Sequence, residues 1–242
     1  MDQTQFYSEC TRLFTLNHLP CTEEQANLFY LLTERMLKVN ETMNLTAITD
    51  EKAVILRHYV DSLMMMRQIP QGARVLDVGC GAGFPTLPLA IFRPDLSITA
   101  IDATAKRIRY VAETASLLGL NNVTALAARA EELAHQADYR EQFDIVTARA
   151  VASLPVLTEL CLGFVRLGGQ MIAMKSQHAE EELTASSRAI SLCGGADIAT
   201  IPCNLTADGK EIEERCLIVI NKTKATPKNY PRHFSKISKK PL

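Results

Sequence analysis

The stretch VLDVGCGAGFPTLPLA at residues 75–90 sets three glycines, Gly79, Gly81 and Gly83, between two apolar runs. A backbone without Cβ atoms adopts unusual angles and can lie against a flat ligand edge with its amides available. The G-x-G-x-G spacing departs from the G-x-G-x-x-G that carries a dinucleotide's phosphates to a helix N-terminus. It therefore disfavours NAD or FAD and predicts a compact nucleoside without a pyrophosphate.

Further along, SITAID ends in Asp102, near the separation from the glycine turn at which a carboxylate meets ribose hydroxyls. Two hydroxyls donating into one carboxylate make strong, directional bonds. In ARAEE, the backbone of Ala130 and the side chain of Glu131 are placed to hydrogen-bond an adenine edge, and Asp77 to face an ammonium group or orient the loop. Taken singly, a glycine trio is often a tight turn and an Asp at a strand end often a helix cap. Their order is more telling: strand, glycine loop, helix, strand ending in Asp, strand followed by an acid. It points to S-adenosylmethionine.

A sulfonium already carries a good leaving group, so the protein must align the acceptor and control charge. Methylation of base amino groups uses Asp, Asn or Ser followed by Pro-Pro-aromatic after the fourth strand, and FDIVTARAVASLP lacks it. Carbon-5 methylation of pyrimidines needs a thiolate. Cys203 after Pro202 lies far down the chain from the cofactor turn, which favours core packing. The ends of the fourth and fifth strands instead offer cations, Arg149 and Lys175, which suit RNA phosphates and the acceptor-rich edge of guanine. Guanine N7 has a free lone pair and needs no general base. Arg149 as a strand cap and Lys175 as a solvated strand end are the plainer readings of these two residues.

These residues need a scaffold. Up to about residue 71 the pattern is helical: TEEQANLFYLLTERML begins with Thr22 as N-cap, and a second helix is expected in KAVILRHYVDSLMMMRQ. From Arg74 on, short apolar runs (ARVLDVG, SITAID, NVTALAA, FDIVTARA, GGQMIAMK) alternate with amphipathic segments. That rhythm predicts an α/β fold with a mostly parallel, doubly wound sheet. DIATIPC and RCLIVINK, joined by a polar loop, read as a closing strand pair. The expected division is a helical extension at 1–71, a methyltransferase domain at 72–222 and a basic tail at 223–242.

The 242 residues, 47% hydrophobic and 22% charged, suffice for one substantial core. No run of eighteen apolar residues and no signal-peptide pattern appears, so a cytoplasmic protein with no membrane partner is expected. Seven cysteines without a C-x-x-C pair fit reduced thiols, and no metal is expected. The last 22 residues hold seven Lys or Arg and no acid, leaving 19 basic against 27 acidic residues in the rest, a balance of −8. The tail is read either as a polyanion contact or as a solvated terminus.

The chain resembles the bacterial small-subunit ribosomal RNA guanine-N7 methyltransferases of the glucose-inhibited-division-protein-B type. The likeness is carried by NLTAI, RHYVDSL, VLDVGCGAGFPTLPLA, KRIRYV, LGLNNV, ARAEE, TARAVASL, AMKS and YPRHFSKISKKPL. It implies a class I (Rossmann-like) methyltransferase fold with an N-terminal helical extension, S-adenosylmethionine as donor and one guanine of 16S ribosomal RNA as acceptor. Its implied cofactor contacts are Gly79, Phe84, Asp102, Ala103, Thr104, Ala130, Glu131 and Arg149, to which the loop reading adds Gly81 and Gly83. RNA contacts are expected from His58, Lys106, Arg107, Lys175, Lys228 and Arg232, with 16S ribosomal RNA or the small subunit as partner of a monomer. Cys80, Thr86, Ala103, Thr104, Ser235 and Ile237 depart from the family's usual residues. A methyltransferase of a small molecule or protein, and a catalytically silent RNA-binding assembly factor on the same fold, are the competing readings.

Overall fold

The computed structural model describes residues 1–149, 152–175 and 179–242. Its first third is helical, as the amphipathic spacing predicts. α1 (Gln3–Leu16) and α2 (Glu23–Met43) each open on a capping box, Asp2 with Gln5 and Thr22 with Gln25, which satisfies otherwise unpaired first-turn amides. The second expected helix is interrupted: α3 (Glu51–Val54) leads into a π-helical stretch (Ile55–Val60) and then α4 (Asp61–Leu63). Such widened turns are frequent at functional sites.

The rest builds one seven-stranded sheet. β1 (Arg74–Val78), β2 (Ser97–Asp102), β3 (Val123–Ala127), β4 (Phe143–Arg149) and β5 (Val165–Lys175) pair in parallel. Between them run α5 (Thr86–Phe92), α6 (Ala105–Leu117), α7 (Ala130–Leu133) and α8 (Leu154–Leu162). α9 (Ala179–Leu192) and β6 (Gly195–Pro202) follow, and β9 (Cys216–Lys222) inserts antiparallel between β5 and β6. The order is β3-β2-β1-β4-β5-β9-β6, so the chain reverses direction beside β1. In open α/β sheets that reversal leaves a crevice at the carboxyl ends of the strands, where ligands bind.

The helical extension has no core of its own. Phe6, Phe14, Phe29 and Tyr59 share one buried apolar cluster with Leu87 of α5 and Val75 and Ile98 of the sheet. On the other face Leu76, Val146, Leu157 and Ile218 form a second cluster.

Two segments differ from expectation. The polar loop after β6 contains a hairpin, β7 (Leu205–Ala207) and β8 (Lys210–Glu213), turning at Asp208 and Gly209 with φ of 51° and 72°. Those left-handed angles match the twist of paired strands. Asn17 holds the hairpin to α1: its Nδ2 donates to the Thr206 carbonyl at 2.9 Å, and the Thr206 amide donates to its Oδ1 at 2.8 Å. The basic tail is also folded. Lys222 is buried, its Nζ donating to the Leu162 carbonyl at 2.6 Å. Arg232 grips the fully buried Glu159, with Nε to Oε1 at 2.8 Å and Nη2 to Oε2 at 2.6 Å. Ile237 of α10 (Phe234–Lys239) is completely buried in the second cluster. Charge alone hid these roles, because a cation opposite a buried acid reads like any other cation.

Candidate active site

The loop after β1 is held by its neighbour strand. The amides of Gly79 and Cys80 both donate to the Ile101 carbonyl, at 2.8 and 3.0 Å. Asp102, at the end of β2, accepts from the Gly81 amide at 3.1 Å and the Thr104 amide at 2.7 Å. Gly79, Gly81 and Gly83 have φ of 74°, 56° and 86°, angles a side chain would strain. At Gly83 a Cβ would also fall 2.6 Å from Leu87 Cδ1, so this glycine serves the packing of loop on helix α5.

Beside the loop lies a cavity of about 190 Å³, whose lining includes Gly79, Asp102, Ala103, Ala130 and Glu131. Of the expected cofactor residues, these five are brought together there, while Gly81, Gly83, Phe84, Thr104 and Arg149 stand outside its lining. Glu131 is buried and its Oε1 has no hydrogen-bond partner. Asp77, fully buried under the loop, accepts from Thr86 Oγ1 at 2.6 Å through Oδ2, while Oδ1 is unpartnered. Burial pushes the Asp77 carboxyl up to about 6, against the lowering effect of the Thr86 hydroxyl. An unsatisfied buried acceptor costs about 1–3 kcal/mol, which a ligand's donors recover. Glu131 Oε1 and the Asp102 carboxylate, both lining the cavity, therefore fit a hydroxyl-rich nucleoside with donors on its edge, as S-adenosylmethionine has.

Phe84 connects this loop to the helical extension. The His58 ring stacks on it, with centroids 4.4 Å apart and planes at 12°, and the Arg149 guanidinium lies 5.7 Å from its centroid. Arg149 Nη2 donates to His58 Nδ1 at 3.0 Å. Because arginine only donates, the His58 proton sits on Nε2, which donates to Thr46 Oγ1 at 2.9 Å. Burial, reinforced by Arg149, drives His58 down to about 4, so the ring is neutral and both nitrogens are engaged. Arg149 Nη1 reaches the Arg57 carbonyl at 3.2 Å and Asp61 Oδ2 at 3.0 Å. The π-helical stretch thus supplies acceptors to the cation at the end of β4.

Asp61 and Arg149 also border a larger cavity, about 600 Å³, together with Arg57, Lys175, Glu213 and Arg215. Its cations are paired. Lys175 Nζ meets Glu182 Oε2 at 2.7 Å and the Ala152 carbonyl at 3.0 Å. Arg215 Nε donates to Asp61 Oδ1 at 3.2 Å, and Arg57 and Arg215 both bind Glu213. Arg57, Asp61, Glu213 and Arg215 are site residues that sequence reasoning passed over. Arg57 and Asp61 stand in RHYVDSL beside His58, and Arg215 opens RCLIVINK, so the signal was a charge at the start of an apolar run. Lys106 and Arg107 are exposed in the first turn of α6, with Arg107 Nη1 3.8 Å from Asp102 Oδ2. Lys228 is exposed and Arg232 is bound to Glu159, and neither lines either cavity. Cys203 is buried, its thiol is pushed up to about 12 by burial, and it lines neither cavity. Among the described residues no group of His, Cys, Asp or Glu is arranged to hold a metal, and no helix is long and apolar enough to cross a membrane.

This sheet order, with a glycine loop after β1 and a carboxylate ending β2, defines a class I S-adenosylmethionine-dependent methyltransferase. The fold is similar to that of a precorrin-6y C5,15-methyltransferase from Geobacter metallireducens (TM-score 0.51, 14% identity, 75% of this chain and 92% of that one). It is also similar to M. jannaschii TYW2 in complex with AdoMet (TM-score 0.51, 16% identity, 68% of this chain and 75% of that one). Sequence likeness is narrower. "Ribosomal RNA small subunit methyltransferase G" of Deinococcus radiodurans is 44% identical over 229 residues, covering 94% of this chain and 88% of its own. The protein of that name from Lactobacillus delbrueckii subsp. bulgaricus is 38% identical over 242 residues, covering 98% and 99%. Residues 25–208 match the family described as GidB, rRNA small subunit methyltransferase G, and the chain belongs to that family.

Proposed function

We propose that this protein methylates N7 of one guanine in small-subunit (16S) ribosomal RNA, with S-adenosylmethionine as donor, in the cytoplasm. The observation that carries the reading is the pairing of two cavities at the carboxyl ends of the strands. One presents the unsatisfied Glu131 Oε1 and the Asp102 carboxylate to a nucleoside, the other presents Arg57, Arg149, Lys175 and Arg215 to an anionic acceptor. The relatives' shared name supplies the ribosomal substrate.

When bound, S-adenosylmethionine supplies a methyl group activated by its sulfonium. The residues around it have binding and orienting work only. Asp102 fixes the loop amides and has acceptor capacity left for ribose hydroxyls, and Asp77 Oδ1 and Glu131 Oε1 are acceptors in need of donors. Arg149, gripped by Asp61 and His58, is positioned rather than free, so it can orient an acceptor-rich purine edge at low entropic cost. No base is required at N7, in keeping with a neutral His58 whose nitrogens are both engaged and a Cys203 thiol that stays protonated.

The test is incubation with donor and undermethylated small subunits, naked 16S RNA and assembly intermediates, followed by borohydride and aniline cleavage. One new cut at a single guanine, lost in Arg149→Ala, is expected. No cut on any of the three substrates overturns the reading.

A further inference from the structure

One wall of the nucleoside cavity comes from the far end of the chain. Phe234, the first residue of α10, joins Val78, Ile101, Ala103 and Leu160 in its lining. It lies beyond residues 25–208, where the family match ends. Phe234 is 40% exposed although residues on both sides of it are anchored. Two positions earlier Arg232 clasps the buried Glu159, and three positions later Ile237 is completely buried. Phe234 is thus fixed between two anchors while its face stays open. The neighbouring apolar side chains and Glu131 Oε1, which has no hydrogen bond and faces Arg129 Nη1 at 4.0 Å, describe a slot for a flat heterocycle with donors on its edge.

We propose that Phe234 packs against the nucleoside of S-adenosylmethionine, making α10 part of the donor site. The inference rests on the cofactor assignment above. It gives the C-terminal segment a role that its charge did not indicate. Removing this segment would weaken donor binding through loss of an apolar wall, with little dependence on salt.

Aromatic packing on a base contributes enough that its loss weakens binding by roughly tenfold. Calorimetry with S-adenosylhomocysteine should therefore show a roughly tenfold higher Kd for Phe234→Ala, with an unchanged melting temperature without ligand, and near wild-type affinity for Phe234→Tyr. The chain contains no Trp, so Phe234→Trp creates a single fluorophore. Its emission should change saturably with ligand, and it decides the matter alone if Phe234→Ala proves unstable. Wild-type binding with an unchanged Phe234→Ala affinity and a silent Phe234→Trp overturns the contact while leaving the cofactor assignment standing. No binding by the wild type overturns both.

Discussion

In the smaller cavity the carboxylate oxygen Glu131 Oε1 has no hydrogen bond, whereas in the larger one every named cation already has an acidic partner. Glu131 Oε1 lies 4.0 Å from Arg129 Nη1, and Asp77 Oδ1, outside that cavity's lining, is likewise buried with no hydrogen bond. Arg57, Arg149, Lys175 and Arg215 are each engaged by Glu213, Asp61 or Glu182. The difference teaches how each site should respond to its ligand. A donor entering the first meets Glu131 Oε1, which faces Arg129 Nη1 at 4.0 Å without a hydrogen bond, and gains most of the value of that bond. An RNA phosphate entering the second must displace a carboxylate, so its gain is only a difference between two pairings. Donor binding should accordingly be nearly indifferent to salt and RNA binding strongly dependent on it.

The largest expected effect sharpens the first half of this contrast. Asp102→Asn keeps one carbonyl oxygen but loses the charge, and the affinity for S-adenosylhomocysteine should fall by roughly a hundredfold. Calorimetry giving a Kd within threefold of wild type would break the contrast. Next is Arg149→Ala, which tests whether a paired cation still serves the acceptor. Methyl transfer in a radiolabel assay should fall by roughly a hundredfold. Urea unfolding should show a loss of about 2–3 kcal/mol, because Asp61 is left buried with Arg215 as its remaining cation. Loss of stability without loss of turnover would make Arg149 purely structural.

Proton linkage separates the two regions at intermediate size. The Asp77 carboxyl is raised to about 6, so the stability it contributes is complete below the ordinary carboxylate range and is lost as pH rises through about 6. His58 is lowered to about 4, so its contribution is complete above the ordinary imidazole range and is lost as pH falls through about 4. The two slopes oppose one another between those values. Relative to wild type, the unfolding free energy of Asp77→Asn should climb more steeply from pH 4 to 6, and that of His58→Gln less steeply. Equal profiles for all three proteins would contradict the burial that separates these groups. Donor affinity should also weaken below about pH 6 as Asp77 protonates, and this dependence should vanish in Asp77→Asn.

The smallest effect concerns the displaced carboxylate itself. Glu213→Gln frees Arg57 and leaves Arg215 held by Asp61, so RNA binding should tighten a few-fold and its salt slope should steepen by about one. Filter binding across salt concentrations checks both. Weaker binding would mean that Glu213 orients the two arginines instead of competing for them.

Much of this architecture is legible in the chain. SITAID coincides with β2, and the helix predicted from Thr22 begins where its capping box places it. Its end at Met43 was not legible, since the later residues lack a strong apolar stripe. GGQMIAMK marks only the second part of β5, which starts at Val165. Gly168 and Gly169 look like a turn, yet a Cβ at Gly169 would meet the Asp144 carbonyl oxygen at 2.6 Å, so the neighbouring strand's approach requires glycine. The β7–β8 hairpin went unread because strands of three and four residues are too short to display alternation. Phe234 was invisible as a site residue because nothing local distinguishes a cavity wall from a surface aromatic.

The order of strand, glycine loop, helix and carboxylate was determined by the sequence alone, since connectivity and short-range spacing place those residues wherever a parallel sheet forms. Tertiary structure alone decided which charges meet. Asp61 is 88 positions from Arg149 and 154 from Arg215, and Arg232 is 73 from Glu159. An ion pair's worth depends on burial and on the partner's orientation, and neither is written into the spacing of residues so far apart.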